Sequence, residues 1–189
     1  MLFRSDANTN YTLQDVRKVM LPFDEAGVNW LEEPFPPQDR KAYRSARSLG
    51  RVPFAAGENH YTRYEFATLL DDGDVQFIQP DLSKTGGLTE SLRIAAMASA
   101  YKLTINPHTS ATAINMGNTI HFLSSIDNPG YFEGDVTSLN PFRDEMMDKA
   151  AYQLDKDGCV SPYDGIGIGM KINLDFIKAH PLIDGPCYV

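Results

Sequence analysis

Trp30-Leu31-Glu32-Glu33-Pro34 is a short apolar run that ends in a carboxylate and is stopped by proline. A polar, helix-forming stretch from Asp39 to Leu49 follows it. The same pattern recurs along the chain. Asp6 ends it in Ser5-Asp6-Ala7-Asn8, Glu58 in Ala56-Gly57-Glu58-Asn59 and Asp81 in Gln79-Pro80-Asp81. His108 ends it in Asn106-Pro107-His108, and Glu133 in Tyr131-Phe132-Glu133. The steps between successive tips are 26, 26, 23, 27 and 25 residues. A strand of about 6 residues, a helix of about 12 and two loops add up to roughly that length. Each step is therefore one βα unit with an ionisable residue at the C-terminal end of its strand. Six such units with short loops imply a parallel sheet. Polar residues at the C-terminal ends of parallel strands are what the mouth of a (β/α)8 barrel, a TIM-type α/β fold, requires.

The intervening segments carry helix signals. Thr12-Leu13-Gln14-Asp15 predicts a capping box, and Leu13, Val16, Val19 and Phe23 form an apolar stripe behind it. Pro22 is expected to shorten that helix. Thr62-Arg63-Tyr64-Glu65 predicts a second capping box and a helix to about Leu70. Further helices are expected over 88–101 and 110–125, with Thr112 and Gly117 as weak points in the second. From Asn140 the pattern changes to a hairpin-like turn at Asp155-Lys156-Asp157-Gly158 and a run with Gly165, Gly167 and Gly169. This predicts a barrel portion over residues 1–139 and, over 140–189, an extended segment without a core of its own.

The chain has 189 residues, just under the roughly 200 of a small complete barrel. Its net charge of −8 argues against nucleic acid or an anionic membrane as partner. Cys159 and Cys187 form no disulfide framework and have no metal-ligand spacing, so a reducing, cytoplasmic setting is expected. The apolar runs are far short of a membrane span, and no signal-peptide core is seen at the N-terminus.

The tips have a chemical order. Three carboxylates on consecutive strands, Asp6, Glu32 and Glu58, suit a hard divalent cation with oxygen ligands. Asp81 followed one strand later by His108 suits an oriented general base. Glu133 can hydrogen-bond a developing oxyanion if it is protonated. His60, in the loop after Glu58, is a candidate substrate contact at the mouth. Glu33 alternates away from Glu32 along the strand and reads as structural, and Trp30 reads as barrel packing.

With these residues in view, the chain resembles the C-terminal barrel portion of the enolase superfamily, within the mandelate racemase subgroup. Each motif alone is weak; six in order at this spacing are specific. The resemblance implies Mg2+ held by Asp6, Glu32 and Glu58, an Asp81–His108 dyad and Glu133 facing the enediolate. It implies that Asn8 contacts the substrate carboxylate or the metal shell, and Lys84 matches the subgroup's pattern as a substrate contact. Asp164-Gly165-Ile166-Gly167-Ile168-Gly169 resembles the family's return segment, which packs on a capping domain. That capping domain and the first two barrel strands, the second of which normally carries a Lys-x-Lys pair, have no counterpart in this sequence.

The chemistry so implied is abstraction of the proton α to a carboxylate, followed by loss of water from a sugar acid. The substrate is a small hydroxy-carboxylate, an aldonate or aldarate, and His108 is the base. Racemisation would need a second base opposite His108, so the residues present fit a dehydratase better. Epimerase or cycloisomerase chemistry, and a catalytically silent fragment, stand as alternatives. The resemblance also implies a homo-oligomer that needs the absent N-terminal half, in the same chain or as a partner.

Overall fold

Short apolar runs of the kind that precede Glu32 are buried on both faces and form parallel strands flanked by helices. The computed structural model describes residues 4–183, so Met1 to Phe3 and Cys187 lie outside the described residues. Five strands lie side by side in chain order, all parallel: β1 (Ser5–Asp6), β2 (Leu31–Glu32), β3 (Phe54–Ala56), β4 (Phe77–Ile78) and β5 (Thr104–Ile105). The helices between them are α1 (Leu13–Glu25), α2 (Arg40–Ala46), α3 (Thr62–Asp72) and α4 (Leu88–Ala100). Then come α5 (Ala113–Leu123), α6 (Pro141–Asp144) and α7 (Leu174–Ala179). In-order parallel strands, each returning through a helix, make a partial (β/α)8 barrel. Leu31, Ala55, Ala56, Ile78 and Ile105 are fully buried in it, and Val16, Met20, Phe66 and Ile94 pack on them from the helices.

Local chemistry explains where the helices follow expectation and where they do not. The Thr12–Asp15 capping box forms, with Asp15 N–H donating to Thr12 Oγ1 and Thr12 N–H to Asp15 Oδ2. Pro22 does not shorten α1, which runs through it to Glu25. Pro22 is solvent-exposed, so the carbonyl it leaves without a donor faces water, while buried Val16 and Met20 hold the helix down. The second capping box does not form. Thr62 takes a left-handed φ of 58° and Tyr61 is the cap residue; Thr62 N–H donates to the Thr85 carbonyl at 3.2 Å, and Glu65 Oε2 accepts from Tyr61 N–H at 2.6 Å.

The sixth unit forms no strand. A single parallel bridge, Ile105 to Pro129, joins it to β5. Ile105 N–H donates to the Asn128 carbonyl and Gly130 N–H to the Ile105 carbonyl, but the next rung would need an N–H at residue 107, which is proline, and Tyr131 N–H donates to the side chain of Asn106, Oδ1 at 2.8 Å. Tyr131-Phe132-Glu133 therefore leaves the sheet as an irregular segment.

The region after Asn140 is not an extended tail. Met146, Met147, Ala151, Met170 and Phe176 pack with Ala113 and Met116 of α5 in a second apolar cluster. An antiparallel bridge, Met147 to Ile172, closes it. Gly117 in α5 makes room for this layer, since a Cβ there would lie 2.4 Å from Cε of Met170. Cys159 is exposed and has no disulfide partner among the described residues. Among the described residues no helix is long and apolar enough to cross a membrane.

Candidate active site

The register of the sheet assembles the first three tips. Asp6 pairs with Glu32 across β1 and β2, and Glu58 follows β3 through Gly57. A Cβ on Gly57 would stand 2.6 Å from the backbone of Gln79, so only glycine lets the chain turn there toward the mouth. One oxygen from each of Asp6, Glu32 and Glu58 lies within 4.8 Å of the others. Glu32 is fully buried and Glu58 nearly so. Two carboxylates at that separation repel by roughly 3–4 kcal/mol at an effective dielectric of about 20. Burial, and then the charges of Glu32 and Glu58, push the pKa of Asp6 above its ordinary value.

The donors around this cluster are unevenly shared. Arg4, two residues before Asp6 and just ahead of β1, donates to Glu32 Oε2 and to Glu133 Oε1. Trp30 Nε1–H also donates to Glu32 Oε2, at 3.0 Å, while its ring packs 4.8 Å from Phe77. Glu32 Oε1 is buried without a partner. An all-oxygen donor set with one buried, unpaired oxygen fits a hard divalent cation.

Glu33 serves the neighbouring loop. Its carboxylate accepts from Asn59 Nδ2 at 2.6 Å and from Asn59 N–H at 3.3 Å, clasping the turn that carries Glu58. Burial, assisted by the charge of Glu58 and opposed by the Asn59 bonds, raises its pKa.

The next two tips meet as expected. His108 Nδ1 lies 2.7 Å from Asp81 Oδ2, and His108 Nε2 lies 3.4 Å from Glu58 Oε2. Asp81 is fully buried. Its second oxygen accepts from Ser83 N–H at 2.7 Å, Ser83 Oγ at 2.6 Å and Asn115 Nδ2 at 3.0 Å. Burial alone would raise the Asp81 pKa; the bonds from His108 and Ser83 outweigh it and hold the pKa low. Burial alone would lower His108; its bond to Asp81 and the charges of Glu58 and Glu133 hold it above its usual value.

Glu133 reaches the same place without a strand beneath it. Thr109 N–H donates to its Oε2 at 3.1 Å, Thr109 Oγ1 donates to its carbonyl, and Arg4 holds Oε1. Burial raises its pKa, against the pull of Arg4 and His108. Lys84 Nζ lies 3.5 Å from Glu58 Oε1. Asn8 is at the exposed rim, its backbone N–H on Asp6 Oδ1 at 2.8 Å.

His60 is placed elsewhere. The turn closed by His60 N–H on Gly57 carbonyl directs its ring onto Phe66, 5.7 Å between centroids. It lines a groove of about 310 Å3 with Tyr43 and Leu69, and burial depresses its pKa.

Arg4, Ser83 and Asn115 are the site residues that the spacing of tips does not reveal. For Arg4 its place two residues before Asp6, a period-2 spacing, was the available signal. For Asn115 there was none, because its partner lies 34 residues away.

Residues 2–176 match the family model described as Enolase C-terminal domain-like. The chain is 32% identical to D-galactarolactone cycloisomerase of Agrobacterium fabrum, over 95% of this chain and 49% of that protein. It is 31% identical to D-galactonate dehydratase of Pectobacterium atrosepticum, over 78% of this chain and 40% of that protein. A crystal structure of an enolase superfamily member from Polaromonas sp. JS666 superposes with a TM-score of 0.94 at 49% identity, covering 100% of this chain and 50% of that one. The chain thus spans about half the length, or less, of the proteins it matches.

Proposed function

This chain belongs to the Enolase C-terminal domain-like family, and on that premise we propose that it supplies the reacting face of a sugar-acid dehydratase. The observation that carries the proposal is the convergence of the three carboxylates with His108, whose Nε2 lies 3.4 Å from Glu58. Asp6, Glu32 and Glu58 are the residues that would hold Mg2+. Bound there, the ion would orient a substrate carboxylate and offset the negative charge that gathers on it during proton abstraction.

The side chains divide the remaining work. Asp81 accepts the Nδ1–H of His108, which leaves Nε2 as the atom that takes the α-proton. The proton then sits on Nε2, and the imidazolium is stabilised by ionised Asp81. Departure of a β-hydroxyl is completed when His108 returns that proton to the leaving oxygen. Lys84 and Asn8 contact the acid at the rim. Glu133, its pKa raised by burial against the pull of Arg4 and His108, faces the developing oxyanion from the side held by Arg4. A cycloisomerase is the second reading, because the Agrobacterium relative, matched over 95% of this chain, is named as one.

The catalytic unit comprises this chain together with the part of the barrel it does not span, in the same polypeptide or as a partner, assembled as a homo-oligomer. Its setting is cytoplasmic, in keeping with a chain that carries only two cysteines.

The test is a chimera in which this chain replaces the matched half of the Polaromonas protein, followed by proton NMR in D2O with Mg2+. Aldonates and aldarates should lose their α-proton signal to solvent exchange or form a 2-keto product, and His108→Asn should abolish both. Exchange that persists in His108→Asn overturns the assignment of the base. No turnover of any acid by a folded, metal-loaded chimera overturns the reaction.

A further inference from the structure

Glu32 presents its two oxygens to different surroundings. Oε2 accepts from Trp30 Nε1–H at 3.0 Å and from the Arg4 guanidinium. Oε1 is buried and has no partner. Both donors are themselves held. Trp30 is packed against Phe77 and, at 6.2 Å, Tyr131, and Arg4 is anchored at its other end by Glu133. Glu32, one of the three carboxylates of the cluster, therefore has Oε2 engaged on both donors and only Oε1 free.

We infer that Arg4 and Trp30 make Glu32 a one-oxygen ligand and thereby set the preference of this centre for a small octahedral cation over a larger one. The inference rests on the proposed divalent-cation site and adds what selects the ion. Mg2+ demands near-octahedral geometry, dehydrates reluctantly and is served by single carboxylate oxygens plus water. Ca2+ takes six to eight oxygens and gains from carboxylates that bind through both. Blocking Glu32 Oε2 withholds that gain from Ca2+ and costs Mg2+ nothing. Arg4 and Trp30 are thus positioning residues, acting on the ion through Glu32.

The experiment is calorimetric titration of the full chain with Mg2+ and, separately, with Ca2+. Wild type is compared with Arg4→Met, Arg4→Lys and Trp30→Phe. The readout is the ratio of the two dissociation constants. Removing a cation strengthens attraction for both divalent ions, and that change cancels in the ratio. Arg4→Met should shift the ratio toward Ca2+ by about tenfold, the low end of what supporting residues contribute to metal affinity. Trp30→Phe should shift it the same way by less, and Arg4→Lys should lie between wild type and Arg4→Met. Trp30→Phe keeps an aromatic ring against Phe77, so the ratio can be read even if Arg4→Met does not fold. If the variants change both affinities alike, in either direction, and the ratio stays fixed, the two residues only pack, and the inference fails. If wild type binds no Mg2+, the proposed centre falls and the inference falls with it.

Discussion

Asn115, on the first turn of α5, donates its amide to Asp81 Oδ1 over 3.0 Å, although the two residues are 34 apart in sequence. Both are buried. The bond ties the helix that follows β5 to the carboxylate at the tip of β4, and so fixes the partner of His108.

Replacing Asn115 by Leu removes one of three donors from a buried, ionised oxygen. A bond to a charged group contributes about 1.5–3 kcal/mol, and Ser83 remains to satisfy part of the demand. Urea denaturation should show a loss of about 1–3 kcal/mol. An unchanged midpoint would mean that Ser83 alone suffices for Asp81.

Pro22 sits on the exposed side of α1 and leaves one helical carbonyl without a donor. Pro22→Ala should restore that bond. Proline in a helix interior costs about 3 kcal/mol, partly offset by the stiffness it gives the unfolded chain. A net gain of about 1 kcal/mol or more is expected, raising Tm by roughly 2–4 °C in a chain of this size. A lower Tm would show that α1 is built around the proline.

Asp72, at the C-terminal end of α3, accepts from Arg40 and Arg44 of α2. The hydrogen bond from Arg40 leads the causes that hold its pKa below the ordinary carboxylate range. Its contribution is therefore full above the unfolded-state pKa of about 3.9 and is lost as pH falls through the lower folded value. Melts from pH 7 to pH 2 should show a shallower acid limb for Asp72→Asn than for wild type. Parallel limbs would show that the pair does not couple folding to pH.

How far the molecule was legible depended on the range of the interaction. The tips could be read from the chain because each one closes a local βα unit, and five of the six units form as spaced. Glu133 reaches its place for a reason outside that logic. Its strand stops where Pro107 offers no N–H for the next rung, and Arg4 and Thr109 then hold the carboxylate. Arg4 meets Glu133 across 129 residues, a pairing that no local pattern encodes. The same applies to Thr62, whose N–H goes to the Thr85 carbonyl rather than to Glu65. The tail was read as coreless because its apolar residues, Met146, Met147, Met170 and Phe176, have no helical or strand period of their own. They find their partners on α5.

Asp6, Glu32 and Glu58 each bring a carboxylate oxygen within 4.8 Å of the others, and a divalent cation is proposed to belong among them. The direct measurement is a calorimetric titration of Mg2+ into the chain, with thermal melts on the same samples. One saturable site is expected, lost in Glu32→Gln and Glu58→Gln. A rise in Tm should accompany it and grow with the logarithm of Mg2+ concentration above the dissociation constant. A well-folded chain that takes up no Mg2+, or binds it equally in both variants, would contradict the claim.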